Sequence, residues 1–271
     1  MLACLMASGC AGLSSRCCGR SRLDNGYTIV LPGILGHNFW DDNVVKGLAQ
    51  AKVPAAIEIH DWTRGPHMLA VNVLDFPHKR READKIVQKI VRYQDRYPGR
   101  PVHLIGHSGG ATLAVQVLET LPPQRKITGA VLLAPAMPRR YDLRLAQSRT
   151  EQGLHSFYSP LDVAIGQGVP MMMGMTWNGG PESAAMFGFQ APNGLSDAER
   201  RRYDSKLAQH PFRVDMIEDG HGGGHFGCTH PDFVQKWLAP IVHQEGLAQK
   251  GHDEKPTSVT AASFVFDRAD R

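Results

Sequence analysis

The chain alternates short apolar runs with longer amphipathic stretches. Tyr27–Leu31 is a β-rich apolar run closed by Pro32-Gly33, which predicts a buried strand. A helix is expected over 41–51 and a second strand over 53–59, with Pro54 near its start; the turn-rich residues 60–74 predict a loop. Between Lys79 and Tyr97 the residues Ala83, Ile86, Val87, Ile90 and Val91 recur at helical spacing with charges between them, and Tyr97-Pro98-Gly99 stops that helix. A strand over 101–105 enters the glycine-rich turn 106–110. Ala111, Leu113, Ala114, Val117 and Leu118 then continue as a buried helix to Pro122-Pro123. Further strands are predicted at 127–133, 155–158 and 212–217, with a polar helix over 143–152 and a closing helix over 232–243. A charged helix over 196–209 has Ser196 as its cap and Glu199 completing a capping box. Strands and helices alternating at this spacing predict an α/β architecture: a mostly parallel sheet flanked by helices on both faces. No internal repeat and no linker divides the chain.

The ends fall outside this pattern. Residues 1–26 read as a leader, 27–250 as one domain, and the pattern-free polar stretch 251–271 as a flexible tail. At 271 residues the chain can bury one sizeable core without a second domain. Charged residues make up 21% and the formal net charge is +4, with no dense basic face interleaved with aromatics, so a nucleic-acid partner is not expected. Four of the five cysteines (Cys4, Cys10, Cys17 and Cys18) fall in the leader and only Cys228 lies beyond, which is not the spread of a disulfide framework. The small residues Ser8-Gly9-Cys10-Ala11 after a short apolar start resemble the end of a bacterial lipoprotein signal, which implies membrane attachment through a lipidated Cys10 and a place in the cell envelope. The departures are Ala7 where leucine is usual, a short apolar segment and no preceding Lys or Arg. A disordered leader of a cytoplasmic protein is the other reading.

Candidate chemistry centres on Gly106-His107-Ser108-Gly109-Gly110, a G-x-S-x-G sequence between a predicted strand and a predicted helix. Ser108 on so tight a turn needs small neighbours two residues to either side, and Gly106 and Gly110 supply them. A serine hydroxyl needs a base to take its proton and a third group to orient the base. Parallel sheets place such groups in loops after the carboxyl ends of strands. Asp162 stands just past the strand at 155–158, with Asp142 as the alternative acid. His225 sits centrally in a Gly- and His-rich loop, with His221 as the alternative base and His230 abutting the closing helix. Glycines break any helix that would align these three histidines as metal ligands, and no carboxylate lies inside the loop, so no metal is expected. For oxyanion donors the candidates are the amides of Gly109 and of Ile34 in the loop Pro32-Gly33-Ile34-Leu35-Gly36.

These features together resemble the α/β-hydrolase superfamily, in its lipase and esterase form. Gly-His-Ser-Gly-Gly at 106–110 is similar to that family's nucleophile elbow, and Pro-Gly-Ile-Leu-Gly at 32–36 is similar to its His-Gly-x-x-Gly oxyanion loop with proline replacing histidine. The family order of serine, acid and histidine falls on Ser108, Asp162 and His225. The resemblance covers about 27–242 and implies a sheet lacking the family's first two strands. It implies a serine hydrolase cleaving carboxylic esters through an acyl-enzyme, with no cofactor and with a small-molecule or lipid ester as substrate. Thioesterase, amidase and acyltransferase activities share the same triad, and a non-catalytic binding protein of this fold remains the alternative from another class. The Met- and aromatic-rich stretch within 166–210 reads as a lid or acyl-chain pocket or, equally, as core.

Overall fold

The computed structural model describes residues 20–163 and 182–243. Six strands form one fully parallel sheet: β1 Tyr27–Leu31, β2 Ala56–Ile59, β3 Val102–His107, β4 Gly129–Leu133, β5 Leu154–Tyr158 and β6 Leu207–Pro211. Their spatial order is β2-β1-β3-β4-β5-β6, and every adjacent pair is parallel. The central strands β1, β3 and β4 are buried along their whole length, as expected for strands covered on both faces. Pairing of Leu31 with Gly106 and of His107 with Leu133 brings the exits of these three strands to one level, where the Ser108 turn begins.

Four longer helices complete the layers: α1 Phe39–Gln50, α2 Phe76–Arg96, α3 Gly109–Thr120 and α4 Asp197–Ser205. One apolar cluster joins the α2 residues Ala83, Ile86 and Ile90 and the α3 residues Leu113 and Val117 to Ile29, Leu104 and Leu132 of the sheet. The other joins the α1 residues Val44, Val45 and Leu48 and the closing helix to Val30, Ile105 and Val131. Strand alternation therefore feeds both layers from the same three strands. The closing helix runs as Pro231–Phe233, a wider π turn at Val234–Leu238, and Ala239–Val242. Pro240 has no N–H to continue an α ladder, and the Ala239 amide reaches back five residues to the Val234 carbonyl instead.

The structure corrects several sequence-based expectations. Residues 212–217 are not a strand, because the last strand is β6 and Val214–Asp219 is a 3₁₀ helix. The apolar residues that suggested a strand, Val214 and Ile217, face solvent, whereas β6 hides in a half-exposed Leu-Ala-Gln-His-Pro run at the sheet edge. The charged helix accordingly ends at Ser205, with its Ser196–Glu199 capping box formed, rather than running on to 209. Residues 60–74 hold a helix, Leu69–Leu74, and the polar helix near 143–152 is confined to Arg144–Ser148. The stretch 166–210 is too long for an insertion, since its last four residues belong to the sheet. Within it Met186 and Phe189 are buried core residues. Residues 20–26 belong to the folded domain rather than to a leader, since Arg20–Leu23 is helical and Leu23 packs against the core with its carbonyl accepting from the Tyr93 hydroxyl. Residues 1–19 with Cys10, the methionines at 171–175 and the tail lie outside the described residues.

Candidate active site

The site is built outward from the end of β3. Ser108 adopts φ 53° and ψ −116°, a backbone conformation that non-glycine residues rarely hold and that costs on the order of 1–3 kcal/mol. Its amide donates to the Leu133 carbonyl at 2.9 Å, and its carbonyl accepts from Ala111 and Ala136, so the surroundings fix the strain in place. The flanking glycines are a steric necessity. A Cβ on Gly106 would lie 2.4 Å from the Gly110 carbonyl oxygen. One on Gly110 would lie 2.1 Å from the Leu31 oxygen and 2.4 Å from that of Pro32. The elbow is thus wedged directly against the exit of β1.

That exit loop is pinned from its carbonyl side. Trp62 Nε1 donates to the Pro32 oxygen at 2.7 Å, Asn72 Nδ2 donates to the Ile34 oxygen at 2.9 Å, and the Gly36 amide donates to Gly33 at 3.0 Å. With its carbonyl held by Asn72, the Ile34 peptide is oriented, and its nitrogen lies 3.6 Å from where a Gly109 Cβ would stand. Gly109 opens α3, so its amide is one of those a helix N-terminus leaves without an intrahelical acceptor. Neither amide donates to another group among the described residues. Two N–H groups beside a serine at the positive end of a helix dipole suit a developing negative charge.

The acid and base candidates meet. Asp162 lies four residues past β5 in a turn closed by its own amide on the Ser159 carbonyl, 3.0 Å, and by the Leu161 amide on Ser159 Oγ, 3.2 Å. His225 Nδ1 and Asp162 Oδ2 are 2.6 Å apart, with both side chains almost wholly buried. A proton held on Nδ1 by the carboxylate leaves Nε2 as the acceptor, the tautomer a general base requires. Among the described residues Ser108 Oγ forms no hydrogen bond. In free enzymes the nucleophile–base contact is often loose and tightens only with substrate.

The alternatives are occupied elsewhere. Asp142 is on the surface, paired through both oxygens with the Arg144 guanidinium. His221 packs edge-on against Phe212 and Phe233, and burial holds its imidazole down at about 4. His230 caps the closing helix, its Nδ1 accepting from the Asp232 amide at 3.4 Å. The three histidines of one loop therefore do three unrelated jobs.

Sequence reasoning missed three contributors. Asn72 is a buried amide that accepts from Arg64 N and donates to both Ile34 and Gly65, and its only signal was a lone asparagine inside an apolar run. Trp62 gave no signal. His107, the residue before the nucleophile, is fully enclosed. Burial, with the neighbouring His225 adding to it, lowers its pKa to about 3, so it stays neutral. Its Nε2–H donates at 3.1 Å to the carbonyl of His225, which also accepts from Cys228 Sγ at 3.5 Å. The base loop is thereby tied to the elbow.

A six-stranded parallel sheet with a strained serine turn after its third strand gives the chain the α/β-hydrolase fold. Residues 71–178 match the family model described as serine aminopeptidase, S33. Aspergillus fumigatus lipase B is similar in structure at a TM-score of 0.51 and 13% identity, over 83% of this chain and 54% of that one, so the chain spans about half of the lipase's length. An α/β serine hydrolase without lid from Xanthomonas campestris aligns at a TM-score of 0.40 and 14% identity, over 82% of this chain and 81% of that one. A search of curated proteins finds no match.

Proposed function

We propose that the protein is a serine hydrolase that cleaves carboxylic ester bonds through an acyl-enzyme intermediate. The observation that carries this reading is the buried 2.6 Å contact between His225 and Asp162, on a loop tied through His107 to a serine held on a strained elbow. In the proposed sequence His225 Nε2 takes the Ser108 proton as Oγ attacks the ester carbonyl. Asp162 orients the ring and stabilises the imidazolium. The Ile34 and Gly109 amides hold the oxyanion; a lost donor of this kind typically costs two to three orders of magnitude in rate. The imidazolium then gives its proton to the departing alcohol, and a water activated by the same ring releases the acid from Ser108. These residues supply nucleophile, base, acid and oxyanion donors, so no cofactor is called for.

Labelling with a fluorophosphonate tests the reading. The folded wild type and the exposed-site control Ser148→Ala should both label and Ser108→Ala should not; an unlabelled wild type would remove the mechanism. Asp162→Asn should lower ester turnover by roughly four orders of magnitude, as expected when the wrong histidine tautomer is enforced. Loss on Asp142→Asn in its place would move the acid to the surface pair.

A further inference from the structure

An aromatic ladder starts at the candidate base and runs outward to solvent. The His225 ring meets Phe226 edge to face at 5.2 Å. Phe226 stacks on Trp40 at 4.7 Å with an interplanar angle of 13°, and Trp40 packs on Phe39 at 3.9 Å. Phe226 follows the base directly, while Phe39 and Trp40 begin α1, three to four residues past the loop that carries the Ile34 amide. The ladder therefore spans the gap between the two loops that flank the elbow. Its outer end is not needed for the core: Phe39 is 58% exposed, and Trp40 and Phe226 are only partly covered.

The chemistry of acyl transfer says what lies beside the base. The group whose oxygen must be protonated for departure has to sit within hydrogen-bond reach of the histidine, whereas the acyl part stays on the serine. The surface next to His225 is therefore the one the alcohol part of an ester meets. In this protein that surface is made of rings. Resting on the serine-hydrolase reading above, we propose that the Phe39–Trp40–Phe226 ladder binds the leaving group, and that the preferred leaving group is an aromatic alcohol stacked against these rings. Flat aromatic partners gain from offset stacking beyond the area they bury, whereas a methyl or ethyl leaving group reaches none of the rings.

The test compares benzyl and methyl esters of one acyl group, whose leaving alcohols have similar acidity, so that intrinsic reactivity does not imitate recognition. Wild type should favour the benzyl ester in kcat/KM by about tenfold or more, as expected for one good aromatic contact. Phe39→Ala and Trp40→Ala should each erase most of that ratio, Phe39→Ala being the safer variant because its ring is mostly in solvent. A wild type without preference, or variants that slow both esters equally, would overturn the proposal and leave the ladder as a brace between α1 and the base loop. Fluorophosphonate labelling of the same samples separates the two levels. Labelling at Ser108 with no benzyl preference removes only the leaving-group assignment, and absence of both labelling and hydrolysis removes the reading beneath it as well.

Discussion

Replacing His103 by leucine should make the protein more resistant to acid. His103 lies on β3, five residues before Ser108, with 2% of its surface exposed, and its Nε2 finds no partner among the described residues. Burial first, and the nearby His155 second, lower its pKa from 6.5 to about 4. The folded state therefore binds fewer protons here than the unfolded chain. The associated stability is intact above the unfolded value of 6.5, declines as pH falls, and is fully lost once pH drops below about 4. A shift of that size corresponds to about 3 kcal/mol in total, of which about 2 kcal/mol is already gone at pH 5. His107 and His221 are depressed in the same direction, to about 3 and about 4, so acid should cost the wild type several kcal/mol out of a typical total of 5–15. In a comparison with His103→Leu those two titrations are common to both proteins and cancel. Urea unfolding followed by tryptophan fluorescence at pH 7.5, 6.5, 5.5 and 5.0 should show the variant gaining on the wild type by about 2 kcal/mol across the series. A difference between the two proteins that is the same at every pH would refute the argument, whatever its size at pH 7.5.

Two further outcomes follow from the geometry of the elbow. Gly110→Ala should destabilise the fold by more than about 3 kcal/mol, because its Cβ would stand 2.1 Å from a backbone oxygen of β1 that has nowhere to go; thermal melting checks this, and a melting temperature near that of wild type would show that the strand exits can part. His107→Leu should lower kcat about ten- to a hundredfold with little change in KM by freeing the His225 carbonyl, while His107→Gln, which can still donate, should recover part of the loss; equal losses in both variants would mean that packing rather than the hydrogen bond matters.

The elbow was legible in the sequence because its requirements are steric and local. Glycines at 106 and 110 between an apolar strand and a helix leave few other folds for that stretch. The order of layers was legible for the same reason, since buried parallel strands such as β1 and β4 read as unbroken apolar runs. The edge strand β6 was not. Two of its five side chains face water, two are only partly covered and it ends on a proline, so it carries no apolar run, while the exposed Val214 and Ile217 imitate one. Asp162 and His225 could be picked out by their place after strands, but the contact between them spans 63 residues and only the folded sheet brings it about. The aromatic ladder joins Trp40 to Phe226, and the clamp on the oxyanion loop joins Asn72 to Ile34. No local pattern announces contacts of that range.

The glycines also divide the site by how much variation each half can absorb. Around Gly110 the carbonyls of Leu31 and Pro32 leave no space for a single added carbon, so Ser108 and the amides of Gly109 and Ile34 are cast as one piece with the sheet. In the base loop, side chains grown from Gly222 and Gly224 would meet nothing within 4 Å. A lineage or a library exploring this protein would find Gly110 frozen and Gly222 and Gly224 open, while Gly223 between them, at φ 83° with Leu161 2.7 Å from its Cβ position, is held like the elbow. Variation would then enter through Gly222 and Gly224 on either side of Gly223, next to His225, with the elbow passed on unchanged.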